Sequence, residues 1–144
     1  LPQTFRRPLV VLCGTCVLAV LFLCFLCSGL RVVEMGSPTM EPLLAGQGTP
    51  PSHPGDTMVV YRWAQHPLRV GDLVDVVLPL GTNRIRTIRS LAGLPGDFFS
   101  EPAPGRVPEG HYYVLAYSTN GIDSRGLGPV PFSNVLGKVV FILK

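Results

Sequence analysis

The chain has 144 residues, of which 47% are hydrophobic and only 15% charged, and its formal net charge is +3. That length holds one domain and an anchor but not two independent cores. The charge is too small and scattered for a nucleic-acid surface, and no basic run, stacking array or zinc-finger spacing accompanies it.

The hydrophobic excess is concentrated near the N-terminus. No charged residue occurs from Leu9 to Leu30, a run reading LVVLCGTCVLAVLFLCFLCSGL. As a helix, residues 9–30 rise about 33 Å, enough to cross a hydrocarbon core of about 30 Å. A cleavable signal peptide is the competing reading, but its apolar region is only about 7–15 residues long. Arg31-Val32-Val33-Glu34 is also no small-residue cleavage site. The expected organisation is a short tail over 1–8, an uncleaved transmembrane helix over 9–30 and a domain over 31–144. Arg6 and Arg7 precede the span with no acid beside them, so the positive-inside rule keeps the tail on the cytoplasm-like or matrix-like side.

All four cysteines, Cys13, Cys16, Cys24 and Cys27, fall inside this span, so the domain has no disulfide framework. At 100° per residue they share a helix arc of about 80°. The two pairs lie about three turns apart, too far to share one metal ion. A stripe of small residues on one helix face instead suits contact with another helix in lipid. The expected partners are therefore membrane lipid and other membrane-protein subunits, met through the Cys13/Cys16/Cys24/Cys27 face.

Beyond Arg31 prolines and glycines punctuate the chain, and β-branched and apolar runs recur between them. Residues 57–63, 73–80, 84–91, 111–116 and 135–143 are the predicted strands. The run over 84–91 alternates basic or polar residues with isoleucine, as a strand with one wet face does. Gly81-Thr82-Asn83 suits a tight hairpin connection, while residues 44–55 and 101–108 read as loops. The fold class is mostly β, an antiparallel domain on one N-terminal transmembrane helix with few if any further helices.

Four short blocks then follow in a fixed order. They are Gly36-Ser37-Pro38-Thr39-Met40-Glu41-Pro42, Gly71-Asp72-Leu73-Val74, Gly93-Leu94-Pro95-Gly96-Asp97, and Val107-Pro108-Glu109-Gly110-His111-Tyr112-Tyr113-Val114. The last is followed by Asp123-Ser124-Arg125 and Gly128-Pro129-Val130-Pro131. The series, just after a membrane anchor and over about residues 30–140, resembles the type I signal peptidase family. The compact size and the ending are most similar to its mitochondrial inner membrane peptidase branch. The resemblance implies a signal-peptidase-like β domain and a membrane-bound endopeptidase with a Ser/Lys dyad that cuts targeting peptides after small residues. It implies no cofactor and no metal. It also implies the mitochondrial inner membrane, with the N-terminus in the matrix and the domain in the intermembrane space, and a paralogous peptidase subunit as a possible partner. An extended substrate would lie along a strand edge.

The positions that carry the family's chemistry are substituted. Thr39 stands at the nucleophile position, where its methyl group crowds attack and stiffens χ1. Ser37 matches an oxyanion-hole serine of some relatives and is the possible oxyanion donor. Arg89 stands at the lysine base position, four residues before Gly93, and a guanidinium cannot deprotonate to act as a base. Lys138 and Lys144, the only lysines, lie in the C-terminal strand region. His111, His53 and His66 are the remaining candidate bases; the first reads as a structural strand residue and the others fall in loops. Gly121 replaces the serine that orients the family's lysine, and Leu115-Ala116-Tyr117 replaces its Gly-Asp-Asn pattern. Asp123 and Arg125 match the family and are expected to form an ion pair shaping the site floor. Two readings follow. One is a catalytically silent structural or accessory subunit, favoured because the arginine objection is chemical; the other is an active peptidase using Thr39 as nucleophile.

Overall fold

The computed structural model describes residues 3–36, 38–40, 55–62 and 67–143, with side chains from Cys13 onward apart from Pro38. Contacts divide the chain into two units, Leu1–Leu30 and Arg31–Lys144.

In the first unit, helix α1 spans Gln3–Ser28, 26 residues that rise about 39 Å. It ends where Ser28 Oγ donates back to the Phe25 carbonyl at 2.7 Å and the Gly29 N–H to the Leu26 carbonyl at 3.3 Å. The side chains from Cys13 to Ser28 are exposed, all four cysteines included. Among the described residues no helix is long and apolar enough to cross a membrane. The transmembrane helix expected over 9–30 is therefore not supported among the described residues.

The second unit is antiparallel β, as expected. Its strands are β1 (Leu30–Glu34, beginning at the unit boundary), β2 (Thr57–Tyr61), β3 (Leu73–Leu80), β4 (Asn83–Gly93), β5 (Phe98–Phe99), β6 (Gly105–Arg106), β7 (His111–Leu115), β8 (Val130–Pro131) and β9 (Val135–Leu143). A four-residue helix, α2 (Ser124–Leu127), and two 3-10 turns, Pro38–Met40 and Phe132–Asn134, complete it. Seven strands form one sheet in the order β1-β2-β9-β3-β4-β7-β8, and β5 and β6 pair separately.

The predicted strands over 73–80 and 135–143 coincide with β3 and β9, whereas β4 runs two residues past its predicted end. Gly81 and Thr82 alone make the hairpin turn, since Asn83 already faces Leu80. β2 is described as ending at Tyr61; Trp63 lies outside the described residues, as do residues 44–54 of the predicted loop. Strand β1 was not predicted, because its Leu-Arg-Val-Val-Glu sequence continues the apolar run without a turn signal. β5, β6 and β8 are two residues each, too short to show a period, and β6 lies inside the stretch read as a loop.

Alternation along β3 sends Val74, Val76 and Leu78 into a first core with Leu91, Val114 and Val135. Leu73 packs against a second core of Met35, Met40, Met58, Val60, Ile88 and Val139. The expected wet face of β4 holds only for its first half: Arg84 and Arg86 are exposed, but Ile88 and Arg89 are both buried. Asp75, buried within β3, is neutralised by Arg86 of β4, whose Nε donates to its carboxylate at 2.8 and 3.0 Å.

β9 crosses β2 very closely at Gly137. A Cβ there would stand 2.7 Å from the Tyr61 carbonyl and 2.8 Å from Val60 Cγ1. Gly137→Ala should therefore destabilise the domain by about 1–3 kcal/mol through overpacking, read as a lowered denaturation midpoint by circular dichroism; an unchanged midpoint would contradict this contact.

Candidate active site

Thr39 sits in the 3-10 turn Pro38–Met40. Met40, fully buried in the second core, holds that turn down, and the Thr39 carbonyl accepts the Ser118 N–H at 2.9 Å. Thr39 is thereby fixed between a core anchor and the segment that follows β7.

Arg89 projects from β4 into the same place and is only 2% exposed. Its Nε donates to the Ile122 carbonyl at 2.9 Å. Its Nη1 donates to Thr39 Oγ1 at 3.1 Å, to Thr87 Oγ1 at 2.7 Å and to its neighbour's Ile88 carbonyl at 2.7 Å. Burial pushes the guanidinium's pKa below its ordinary value; Asp123 opposes that shift and Arg125 adds to it. The group nevertheless stays charged, because the starting value lies so high. The direction of the bond to Thr39 decides its chemistry. Arg89 donates and the hydroxyl oxygen accepts, so Arg89 has no lone pair with which to take this hydroxyl's proton.

Asp123 and Arg125 lie beneath this pair. The Asp123 carboxylate caps α2 by accepting the Arg125 N–H at 2.9 Å, and it also accepts the Ala116 N–H at 2.8 Å. Arg125 Nε closes an ion pair with it at 2.9 and 3.1 Å, and Arg125 Nη2 reaches the Ser118 carbonyl at 2.8 Å. The pair therefore holds residues 116–118, and Ser118 in turn holds Thr39. Ser124, also buried, accepts the Val114 N–H at 3.0 Å.

Gly121 is confined by its neighbours. A Cβ there would meet Ala116 Cβ at 2.4 Å and Thr39 Cβ at 3.4 Å. The alanine of the Leu115-Ala116-Tyr117 substitution thus occupies space that a side chain at 121 would need. Gly121→Ser alone should cost about 1–3 kcal/mol, and adding Ala116→Gly should recover part of that loss in thermal unfolding. Equal loss in the single and double variants would refute the steric coupling.

A cleft of about 410 Å³ opens over the pair, lined by residues 33–36, Thr39, residues 85–89, Asn120 and Ile122. β4 pairs with β3 over residues 83–90 but with β7 only from Ser90 onward. Along residues 83–89 its other edge has no strand beside it among the described residues.

The sequence-predicted residues Thr39, Arg89, Gly121, Asp123 and Arg125 are thus brought together. Ser37 lies outside the described residues, as do His53, His66 and Lys144. His111 stands on β7 opposite Pro131, with Nδ1 3.1 Å from the Glu109 carbonyl, and does not line the cleft. Lys138 pairs with Asp72 at 2.8 Å. Among the described residues no group of three or more His, Cys, Asp or Glu could hold a metal ion. Sequence reasoning missed Thr87 and Ile122 as acceptors for Arg89. Thr87 was within reach, since residues two apart on a strand share a face; the Ile122 carbonyl carried no sequence signal. It also missed Asp75, although a carboxylate inside the apolar run Leu-Val-Asp-Val-Val marks a buried charge that needs a partner.

A family model described as signal peptidase, peptidase S26, matches residues 98–144. The mitochondrial ATP-independent inner membrane protease subunit 1b of Arabidopsis thaliana is 32% identical over 118 residues, which cover 72% of this chain and 64% of that relative. The chain therefore spans a little less than two thirds of the length of the relative it matches. Block order and these matches point the same way: the chain is similar to the type I signal peptidase family and, within it, to a mitochondrial member.

Burial alone would raise the Asp123 carboxyl, but hydrogen bonds from Arg125 and from the Ala116 and Arg125 N–H groups outweigh it and hold the pKa below its ordinary value. A depressed carboxyl stabilises the fold above its unfolded pKa, and that stability is lost as pH falls through the lower, folded value. Asp123→Asn should cost about 2 kcal/mol at neutral pH and flatten acid destabilisation below about pH 4. Urea denaturation across that window, compared with the parent, checks both.

Proposed function

We propose that this chain is a catalytically silent signal-peptidase-like subunit of the mitochondrial inner membrane, which keeps the family's peptide cleft without the means to cut. One observation carries the reading: the guanidinium of Arg89 donates to Thr39 Oγ1 at 3.1 Å. A hydroxyl becomes a nucleophile when a neighbouring base accepts its proton, and here the neighbour is a permanent donor. Thr39 is further handicapped by its methyl group, and Gly121 offers no side chain to orient a base.

Location and topology are part of the same proposal. The relative's name assigns it to the mitochondrial inner membrane. Helix α1 covers most of the uncharged run, and 26 helical residues are long enough in backbone to cross a bilayer. With Arg6 and Arg7 on the matrix side, the β domain lies in the intermembrane space. The Cys13/Cys16/Cys24/Cys27 face then meets other membrane-protein subunits, among which a paralogous peptidase subunit is the simplest partner for a member that cannot cleave. No cofactor is called for.

The test is cleavage of a presequence peptide ending in small residues by the full chain in detergent. The expected result is no turnover above buffer for the parent, and none for Thr39→Ala. Turnover by the parent that disappears in Thr39→Ala would overturn the proposal and establish the active reading with Thr39 as nucleophile.

A further inference from the structure

The turn that holds Thr39 carries a chemistry of its own. Residues 117–121 follow β7 as an irregular turn, and within it Asn120 is directly followed by Gly121. Asn120 is exposed, and its side-chain amide makes no hydrogen bond among the described residues. It lines both the cleft over Thr39 and Arg89 and a neighbouring cavity of about 630 Å³ bordered by Glu101, Asp123 and Arg125. Its side-chain carbonyl carbon is therefore open to water, and it lies next to a backbone nitrogen that no side chain shields.

Packing keeps that glycine where it is, since a Cβ at 121 would meet Ala116 Cβ at 2.4 Å. The backbone restraint on it is slight. The Gly121 N–H donates to the Ser118 carbonyl at 3.2 Å and the Asn120 N–H to Ser118 Oγ at 3.3 Å, both long for such bonds. Releasing one exposed hydrogen bond of this kind slows attack by the nitrogen by no more than about tenfold, or about 1.4 kcal/mol. The other two asparagines differ. Asn83 opens β4 and Asn134 ends the 3-10 turn, and Arg84 and Val135 after them carry side chains that crowd the following nitrogen.

We propose that Asn120-Gly121 is a self-modification site, at which the asparagine converts to aspartate and isoaspartate without an enzyme. The Gly121 nitrogen gives its proton to water and attacks Cγ of Asn120. A C–N bond forms, the amide nitrogen takes up a proton and leaves as ammonia, and a cyclic imide remains. Water then opens the ring. Addition at Cγ gives aspartate, whereas addition at the backbone carbonyl gives isoaspartate, in which the main chain runs through the former side chain. Either product places a carboxylate on the cleft wall. The charged residues lining that cleft are Glu34, Arg86 and Arg89 among the described residues, so the added acid brings its anions level with its cations. The step is independent of whether the chain cleaves peptides.

The test incubates the full chain in detergent at neutral pH and physiological temperature, beside the same chain unfolded in guanidinium chloride, and maps peptides by mass spectrometry. The Asn120 peptide should gain a single mass unit and separate into two forms, one of them isoaspartate. Its rate should lie within about tenfold of the unfolded chain's. The Asn83 and Asn134 peptides should stay unchanged over the same interval, and Asn120→Gln should abolish the gain. An Asn120 peptide still intact after the unfolded chain has converted shows that the turn protects it, and overturns the proposal. Equal conversion at all three asparagines also overturns it, because no site is then distinguished. A mass gain with aspartate as sole product overturns the imide route.

Discussion

One buried cation organises the site. Arg89 is only 2% exposed, and its guanidinium takes acceptors from three parts of the chain: the Thr39 turn, β4 itself, and Ile122 beyond β7. Removing a charge from water costs several kcal/mol even after relaxation. Hydrogen bonds to a charged group contribute about 1.5–3 kcal/mol each, so several good acceptors can offset that cost without a directly paired carboxylate. A lysine at this position would present one ammonium on a flexible stem, whereas the planar fork reaches Ile122 with one nitrogen and Thr39 and Thr87 with another. Arg89 therefore builds the floor of the cleft around a fixed donor.

The family blocks persist around this altered floor because they do mechanical work unrelated to proton transfer. In Gly93-Leu94-Pro95-Gly96-Asp97, the Asp97 carboxylate accepts the Leu94 N–H at 2.8 Å and closes the turn. In Gly71-Asp72, the carboxylate accepts the Arg69 N–H at 2.9 Å and pairs with Lys138 across the sheet. Asp123 caps α2 and, with Arg125, fixes the segment beside Thr39. Turn closure, capping and strand tethering are needed whether or not a peptide bond is ever cut. The blocks alone are thus evidence of fold before they are evidence of activity.

Much of this was legible in the sequence. Strands β3 and β9 were readable because both are long apolar runs bounded by turn residues. The site positions were readable because they lie at fixed offsets from glycine-containing blocks: Arg89 four residues before Gly93, and Gly121 two before Asp123. β1 stayed hidden because the apolar helix runs into it without a break, and the two-residue strands are too short to carry a period. The burial of Arg89 was hidden for a different reason. Arg84, Arg86 and Arg89 look equivalent in a basic strand, and only the tertiary positions of Thr39 and Ile122 distinguish the one that is enclosed. Likewise Asp75 reads as an isolated acid until β4 brings Arg86 beside it.

Thr39, Arg89, Ala116 and Gly121 are physically coupled. Ala116 and Gly121 share one space, since a Cβ at 121 would lie 2.4 Å from the alanine's own. Gly121 also borders Thr39, and Thr39 accepts from Arg89. A serine at 121 would therefore be obstructed by Ala116, and a lysine at 89 would give up the fork that spans Ile122, Thr87 and Thr39. Changing either position alone meets a steric or hydrogen-bonding penalty from the others. The present arrangement is thus mutually consistent, with each residue in contact with the next. It also differs from the dyad in its electrostatics. A buried lysine serving as base must titrate near working pH, so the charge of its site varies with pH, whereas Arg89 keeps this cleft floor cationic throughout. A cleft floor whose charge does not change is unsuited to shuttling a proton, and that follows from the guanidinium at this position of β4.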